Sequence, residues 1–332
     1  MASVLGSLRR LALAPSLADV TLEKRGFSGA STAATRRLEK VPQSVVCGFE
    51  WGMETRGLWE VERRLDLVDE EQRGFAYEGA VMAYTILDVM PGRTGNRTRK
   101  LLAGSGKPHI FLAYIGIGFA MARLPRVLWK RVLPDLRSAE YYPAMSWLAV
   151  DGYAFDRAYF DTPRWVGRQE IPASYPWDGA PEYFPRAVDQ GIGRALWFIG
   201  GGRTPDVAAA VRRFASHRHA DLWSGVGLAA AFAGGGDGLA LEELSREAGP
   251  HTAALAQGAV FAIKARAHAG YVPPETRTAA TALTGLPVEA AVALADGAAP
   301  DPASAGPAAP AYELWRRGVQ AHFAAPAGRS AR

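Results

Sequence analysis

The chain has 332 residues, 48% of them hydrophobic, enough to bury a large core, so a soluble globular protein is expected. Net charge is +5, yet the 38 basic residues are scattered among 33 acidic ones instead of gathered on one stripe, which argues against nucleic-acid binding. The single cysteine, Cys47, excludes an intrachain disulfide and a thiolate-rich metal site and fits a cytoplasmic protein.

Residues 1–40 mix Gly, Ser, Arg and Ala without sustained periodicity and read as a lead-in segment. Arg9 and Arg10 interrupt the first apolar stretch, so no signal peptide is expected. From Val45 to Leu65 apolar residues recur at steps of three and four, predicting two amphipathic helices broken near Gly57, which form an N-terminal helical cap.

Residues 41–296 are expected to form a single helical-repeat domain. Within it an apolar run, a glycine and a further apolar and alanine-rich run recur at Gly79, Gly116, Gly152, Gly191, Gly225 and Gly258, at steps of 33–39 residues. That is the period of stacked helix pairs. Apolar or alanine residues at −4, −3, +3 and +4 from the glycine share one helical face, so the glycine centres a buried stripe. Glycine there costs about 1 kcal/mol relative to alanine, which close packing against a neighbouring helix would offset. Pro108, Pro143, Pro185 and Pro250 precede these segments, where proline is tolerated in a first helical turn. Outer helices are predicted at 127–136, 205–216, 239–248 and 275–283. A strand reading survives only locally, at Ile110 to Ile115. The fold class is therefore all-α: about six helix-pair repeats in a curved solenoid or toroid-like array behind the cap.

The longest apolar run, Ile110 to Ala122, falls short of the roughly 20 residues needed to span a bilayer and reads as a buried helix. No membrane span is expected, and peripheral contact stays open. The segment 162–185 carries five prolines and the aromatic cluster Trp165, Tyr175, Trp177, Tyr183 and Phe184. It is a loop excursion that either straps its aromatics onto the array or covers a pocket. Residues 297–332 read as an Ala/Pro-rich linker and a mobile tail.

Several familiar motifs fail. Gly104-Ser105-Gly106-Lys107 lacks the first glycine and the Ser or Thr of a phosphate loop, having Leu101 and Pro108 in those places. Gly116-Ile117-Gly118 lacks the third glycine of a dinucleotide fingerprint, which Met121 replaces. His217 and His219 flank Arg218 with no Cys or acidic helix motif nearby, favouring capping over metal binding. Asp151, Asp156 and Asp161 are spaced by five, so a single helix cannot present all three to one metal. No metal and no cofactor is expected.

The remaining signal is the position just before each glycine: Glu78, Ile115, Asp151, Gln190, Ser224 and Gln257, polar in five of six copies. Asp189, Arg194 and Asp221 lie close by in sequence. In a curved array these groups would converge on a groove walled by Tyr77, Tyr153, Trp197 and Trp223. Glu78, Asp151, Asp189 and Asp221 are then candidate proton donors, since an apolar setting raises a carboxyl pKa. Tyr77, Tyr153, Gln190, Arg194, Trp197, Trp223 and Gln257 are the candidate substrate-binding residues. The alternative is that the polar groups pair between repeats to fix their register.

The segments RGFAYEGAVMA, WLAVDGYAF, DQGIGRALWF, HADLWSGVGLAAAFAGG and LAQGAVFAIKAR together resemble a bacterial family catalogued as domain of unknown function 1702, across Ala18 to Asp296. The resemblance implies a place in actinobacterial natural-product gene clusters, including enediyne-type polyketide clusters, and carries no catalytic residues with it. The expectation is an enzyme of specialised metabolism, a cyclase or isomerase acting on a small apolar polyene or isoprenoid-like substrate. The alternative is a non-catalytic helical-repeat accessory that binds a polyketide or terpenoid synthase or its product.

Overall fold

The cost of a glycine at the centre of a buried helical stripe is offset only where another backbone comes too close for a side chain. A computed structural model, which describes residues 16–324 apart from 30, 56, 91–94, 138–139 and 302–303, places the repeated glycines at such contacts. Fifteen α-helices are described: α1 (Leu22–Arg25), α2 (Ala33–Glu54), α3 (Leu58–Asp66), α4 (Glu70–Val89), α5 (Arg97–Ala103), α6 (Ile110–Arg123), α7 (Trp147–Phe160), α8 (Phe184–Ile199), α9 (Thr204–Arg212), α10 (His219–Ala233), α11 (Gly238–Ala248), α12 (Thr252–His268), α13 (Pro274–Thr284), α14 (Val288–Gly297) and α15 (Ala311–Ala324). Among the described residues there is no strand, only an isolated bridge between Gly306 and Ala309. No single helix there is long and apolar enough to cross a membrane. The local strand reading at Ile110 is replaced by the first turn of α6.

The glycine-bearing helices α4, α6, α7, α8, α10 and α12 pack in succession, preceded by α2. A methyl group at Gly116 would overlap the Glu78 carbonyl; the same holds for Gly152 against Ile115, Gly191 against Asp151, Gly225 against Gln190 and Gly258 against Ser224. Each glycine thus seats on the carbonyl of the residue preceding the glycine of the previous copy. A second set works in the other direction: Gly118, Gly193 and Gly227, two residues past a repeated glycine, meet the carbonyls of Ala149, Leu222 and Leu255 on the next helix. Gly48 meets Ala76 and Gly79 meets Val45 in the same two ways, so α2 is a further copy in which Val46 occupies the glycine place. The helix expected as part of a cap therefore belongs to the packed series. Gly48 faces Ala76 and Gly52, one turn on, faces Ala80, so α2 and α4 run in the same direction.

The outer connections return the chain. α3, α9, α11 and α13 match helical expectations, whereas the stretch predicted as a helix at 127–136 holds only a 3-10 turn, Arg126–Arg131. Of the expected proline starts, Pro185 lies in the first turn of α8 and the others belong to 3-10 lead-ins: Pro108 lies in Lys107–His109 and Pro250 in Gly249–His251, while Pro143 precedes Ala144–Ser146. Between α7 and α8 the chain forms a π-helical turn, Pro163–Gly167, and two 3-10 turns, burying Trp165, Trp177 and Tyr183. Trp165 meets Tyr153 edge-on with ring centroids 5.9 Å apart, so this segment straps the outer face of α7.

The C-terminal segment corrects an expectation. Residues 311–324 do not form a mobile tail: α15 docks on α12, with Tyr312, Trp315, Arg316 and Val319 buried. The Trp315 indole donates to the Ala295 carbonyl at the end of α14, 2.7 Å away. Its polar sequence conceals this because the contacts that order it are ion pairs to distant helices. The first fifteen residues of the expected lead-in lie outside the described residues.

Candidate functional site

Seven helices packed in succession leave one interior, and all seven line a single cavity. The lining follows a simple rule. Three residues past the glycine place stand Phe49, Met82, Phe119, Phe155, Arg194, Leu228 and Phe261, one from each of α2, α4, α6, α7, α8, α10 and α12, and every one borders the cavity. One helical turn earlier the lining adds Val45, Glu78 and Ile115, and one turn later Arg123, Tyr159, Phe198 and Phe232. The cavity is narrow, with a volume of about 90 Å³. Pro42, Val45, Arg123, Phe160 and Leu228 are lining residues that are only half-buried and mark where it approaches the surface.

Six of the seven residues in the +3 series are apolar and the seventh is Arg194. Its guanidinium bonds the Asp151 carboxylate of the preceding helix and lies over the Phe155 ring, 4.9 Å from its centroid. The other Asp151 oxygen is buried without a partner. Burial pushes the Asp151 carboxyl up against the pull of Arg194. Glu78 lines the cavity beside this pair and is 2% exposed. Among the described residues no hydrogen bond reaches its carboxyl. Burial raises the Glu78 pKa to about 8, more than the attraction of Arg194 offsets, and the Asp151 carboxylate adds to the rise. At neutral pH Glu78 is therefore a neutral carboxylic acid facing an apolar, aromatic interior.

A second ion pair borders the cavity where α6 ends. Arg123 donates to Asp156 on α7 at 2.5 Å, and Asp156 is buried. Burial raises the Asp156 carboxyl while Arg123, Arg157 and Arg25 draw it down.

The remaining predicted residues lie elsewhere. Asp189 is held by Arg218 through both carboxylate oxygens at 3.0 Å. Burial would raise Asp221, but Arg316 and Arg186 hold it below the usual carboxylate range, with Arg316 at 2.8 Å. Gln190 donates to the Tyr183 hydroxyl and accepts from that of Tyr312, both at 3.0 Å. Gln257 accepts from Ser224, Arg316 and Gln320. These groups fix α8, α10 and α12 to one another and to α15, the register role weighed from sequence. Tyr77 stacks on His109 at 4.5 Å, Tyr153 meets Trp129 edge-on at 4.8 Å, and the Trp197 indole donates to the Gly234 carbonyl at 2.8 Å. Trp223 is buried, and none of these four aromatics lines the cavity. Of the residues expected at a shared groove, the structure brings together Glu78, Asp151 and Arg194.

A family model described as protein of unknown function (DUF1702) matches residues 4–323. The chain belongs to this family. No curated protein and no solved structure matches it. The match extends past the span of the resemblance, Ala18 to Asp296, and takes in nearly all of α15. For this DUF1702 chain the C-terminal helix is thus part of the family unit, as its burial requires. Sequence reasoning missed the +3 aromatics, Arg123 and Asp156. The +3 residues were visible on the buried stripe, and the lone arginine among them was the signal separating a lined cavity from an ordinary core. Arg123 and Asp156, on different helices, had no such signal.

Proposed function

We propose that the protein is an enzyme of specialised metabolism whose interior holds an elongated polyene or isoprenoid-like molecule, and that Glu78 starts a cyclisation or isomerisation by protonating it. The observation that carries the reading is the Glu78 carboxyl, neutral at pH 7, facing the cavity and engaged by no hydrogen bond from the described residues. Such an acid delivers its proton without first breaking a protein contact. The Glu78 O–H bond breaks, a C–H bond forms at one end of the π system, and the alkene π pair is consumed. The resulting cation faces the rings of Phe119, Phe155 and Phe261. The carboxylate left behind feels the Arg194 charge; it takes a proton back from a carbon beside the cation, whose C–H pair becomes the new alkene π bond, and the acid is restored. A carboxylic acid of this strength suits an extended conjugated system, whose cation is delocalised, better than an isolated double bond. Asp151 is tied to Arg194 and serves as a positioning residue.

The test is product formation in a producing host. Glu78→Gln is expected to abolish it while the protein accumulates at normal levels, and Asp151→Asn to reduce it. Full activity of Glu78→Gln would remove the acid role. A second reading, an accessory protein that holds a product or docks on a synthase, is favoured by the engagement of Asp189, Asp221, Gln190 and Gln257 in interhelical contacts. Deletion of the gene separates the two: an unreacted intermediate accumulates if the protein is the enzyme, whereas an accessory role predicts a lower yield of the unchanged product.

A further inference from the structure

We infer that the cavity recognises its ligand from one end: Arg123 anchors a terminal carboxylate of the apolar chain and so sets how far along that chain Glu78 acts. This rests on the reading that the cavity holds the ligand. Arg123 is the last residue of α6, lines the cavity and has a side chain 25% exposed, so it stands between the interior and solvent. A guanidinium carries five N–H donors, and here Nη1 bonds Asp156 while Nε and Nη2 bond no described residue. That leaves the two-donor edge that matches a carboxylate.

The surroundings favour an anion. Arg25 and Arg157 act on Asp156 together with Arg123, so three guanidinium groups bear on this one carboxylate. Glu39, the acid whose field reaches neighbouring Tyr159, is engaged by the Leu22 N–H at 2.8 Å. Arg25 donates to the Tyr159 and Phe160 carbonyls at 2.8 and 2.7 Å, and its Nε and that of Arg157 are buried without partners. Arg123 also lies over the Phe160 ring at 5.2 Å, which steadies its guanidinium plane. Besides Arg123, Asp156 and Tyr159, whose hydroxyl donates to the Val20 carbonyl, the lining is apolar except for Glu78 and Arg194.

The helix supplies a ruler. Gly116 on α6 sits level with Glu78, since it seats on the Glu78 carbonyl. Arg123 is two turns further along the same helix, roughly 10 Å at 1.5 Å per residue. A chain held by its carboxylate at Arg123 therefore presents to Glu78 a bond well removed from the head group.

Fluorescence titration of the full chain with cis-parinaric acid, a conjugated tetraene carboxylate, and with its methyl ester tests this. The acid is expected to bind wild type about tenfold or more tightly than the ester, as loss of a charge-assisted bidentate contact implies. Arg123→Met should bind both alike, and Arg123→Lys should keep part of the preference. Because Arg123→Met leaves Asp156 buried without its partner, an Arg123→Met/Asp156→Leu variant is measured beside it and is expected to lose the preference equally. Equal binding of acid and ester to wild type, or a preference kept in the double variant, overturns the anchor while leaving the cavity reading intact. Failure of both probes to bind overturns the anchor and the cavity reading together.

Discussion

Protonation of Glu78 has a cost that can be read from stability alone, without knowing the substrate. The carboxyl titrates at 4.5 in an ordinary setting and at about 8 when folded. Below the lower value both states hold the proton. Between the two values the folded chain keeps it while the unfolded chain gives it up, so stability falls as pH rises and levels off above about 8. At 1.36 kcal/mol per pKa step the full effect is up to about 5 kcal/mol. For 332 residues at about 2.1 cal/mol/K each, that corresponds to a Tm change of about 7 °C. Glu78→Gln has nothing to titrate at this position. The assay is a thermal melt of both proteins from about pH 5 to pH 9. The Tm of Glu78→Gln minus that of wild type is expected to rise by several degrees across that range; a difference that stays constant would show that Glu78 is not a neutral acid in the fold, and the proposed chemistry would lose its donor.

Two further outcomes follow from the packing. Gly116→Ala and Gly258→Ala place a methyl group against a backbone carbonyl and should each lose about 1–3 kcal/mol or more in urea unfolding. Gly297→Ala, which meets nothing within 4 Å, should be neutral or gain up to about 1 kcal/mol, and the reverse order would refute the carbonyl-seat account. Arg316→Met strips one partner from Asp221 and Glu313, both buried, and should cost about 3 kcal/mol or more; a loss below about 1 kcal/mol would mean that α15 is held by its apolar residues alone.

The all-helical fold was legible because the demand for close backbone contact is periodic and leaves a periodic glycine. The glycine pattern missed only that α2, expected as a cap helix, belongs to the series, and for a physical reason: Val46 fills the glycine place, and only Gly48, the second half of the motif, stays behind. Glu78 was legible as an acid on an apolar stripe. Its separation from Asp189 and Asp221 was not, because all three are carboxylates near repeat glycines and only tertiary pairing distinguishes them. Arg218 claims Asp189, and Arg316, far along the chain, claims Asp221. The +3 aromatics escaped because a residue lining an apolar cavity and one filling a core have the same composition. Arg316 escaped for the opposite reason, since an arginine in a polar helix looks solvated until its partners arrive from elsewhere.

The helices meet through backbone atoms at the glycines, while the cavity wall is supplied one turn along by side chains that take no part in those seats. The bore of the protein is therefore adjustable in independent increments. Exchanging Phe for Leu or Met at one +3 position widens or narrows the channel at a single point on its circumference and leaves the joints between helices untouched. A scaffold built this way can be refitted to a longer, bulkier or differently bent molecule by a handful of separate substitutions.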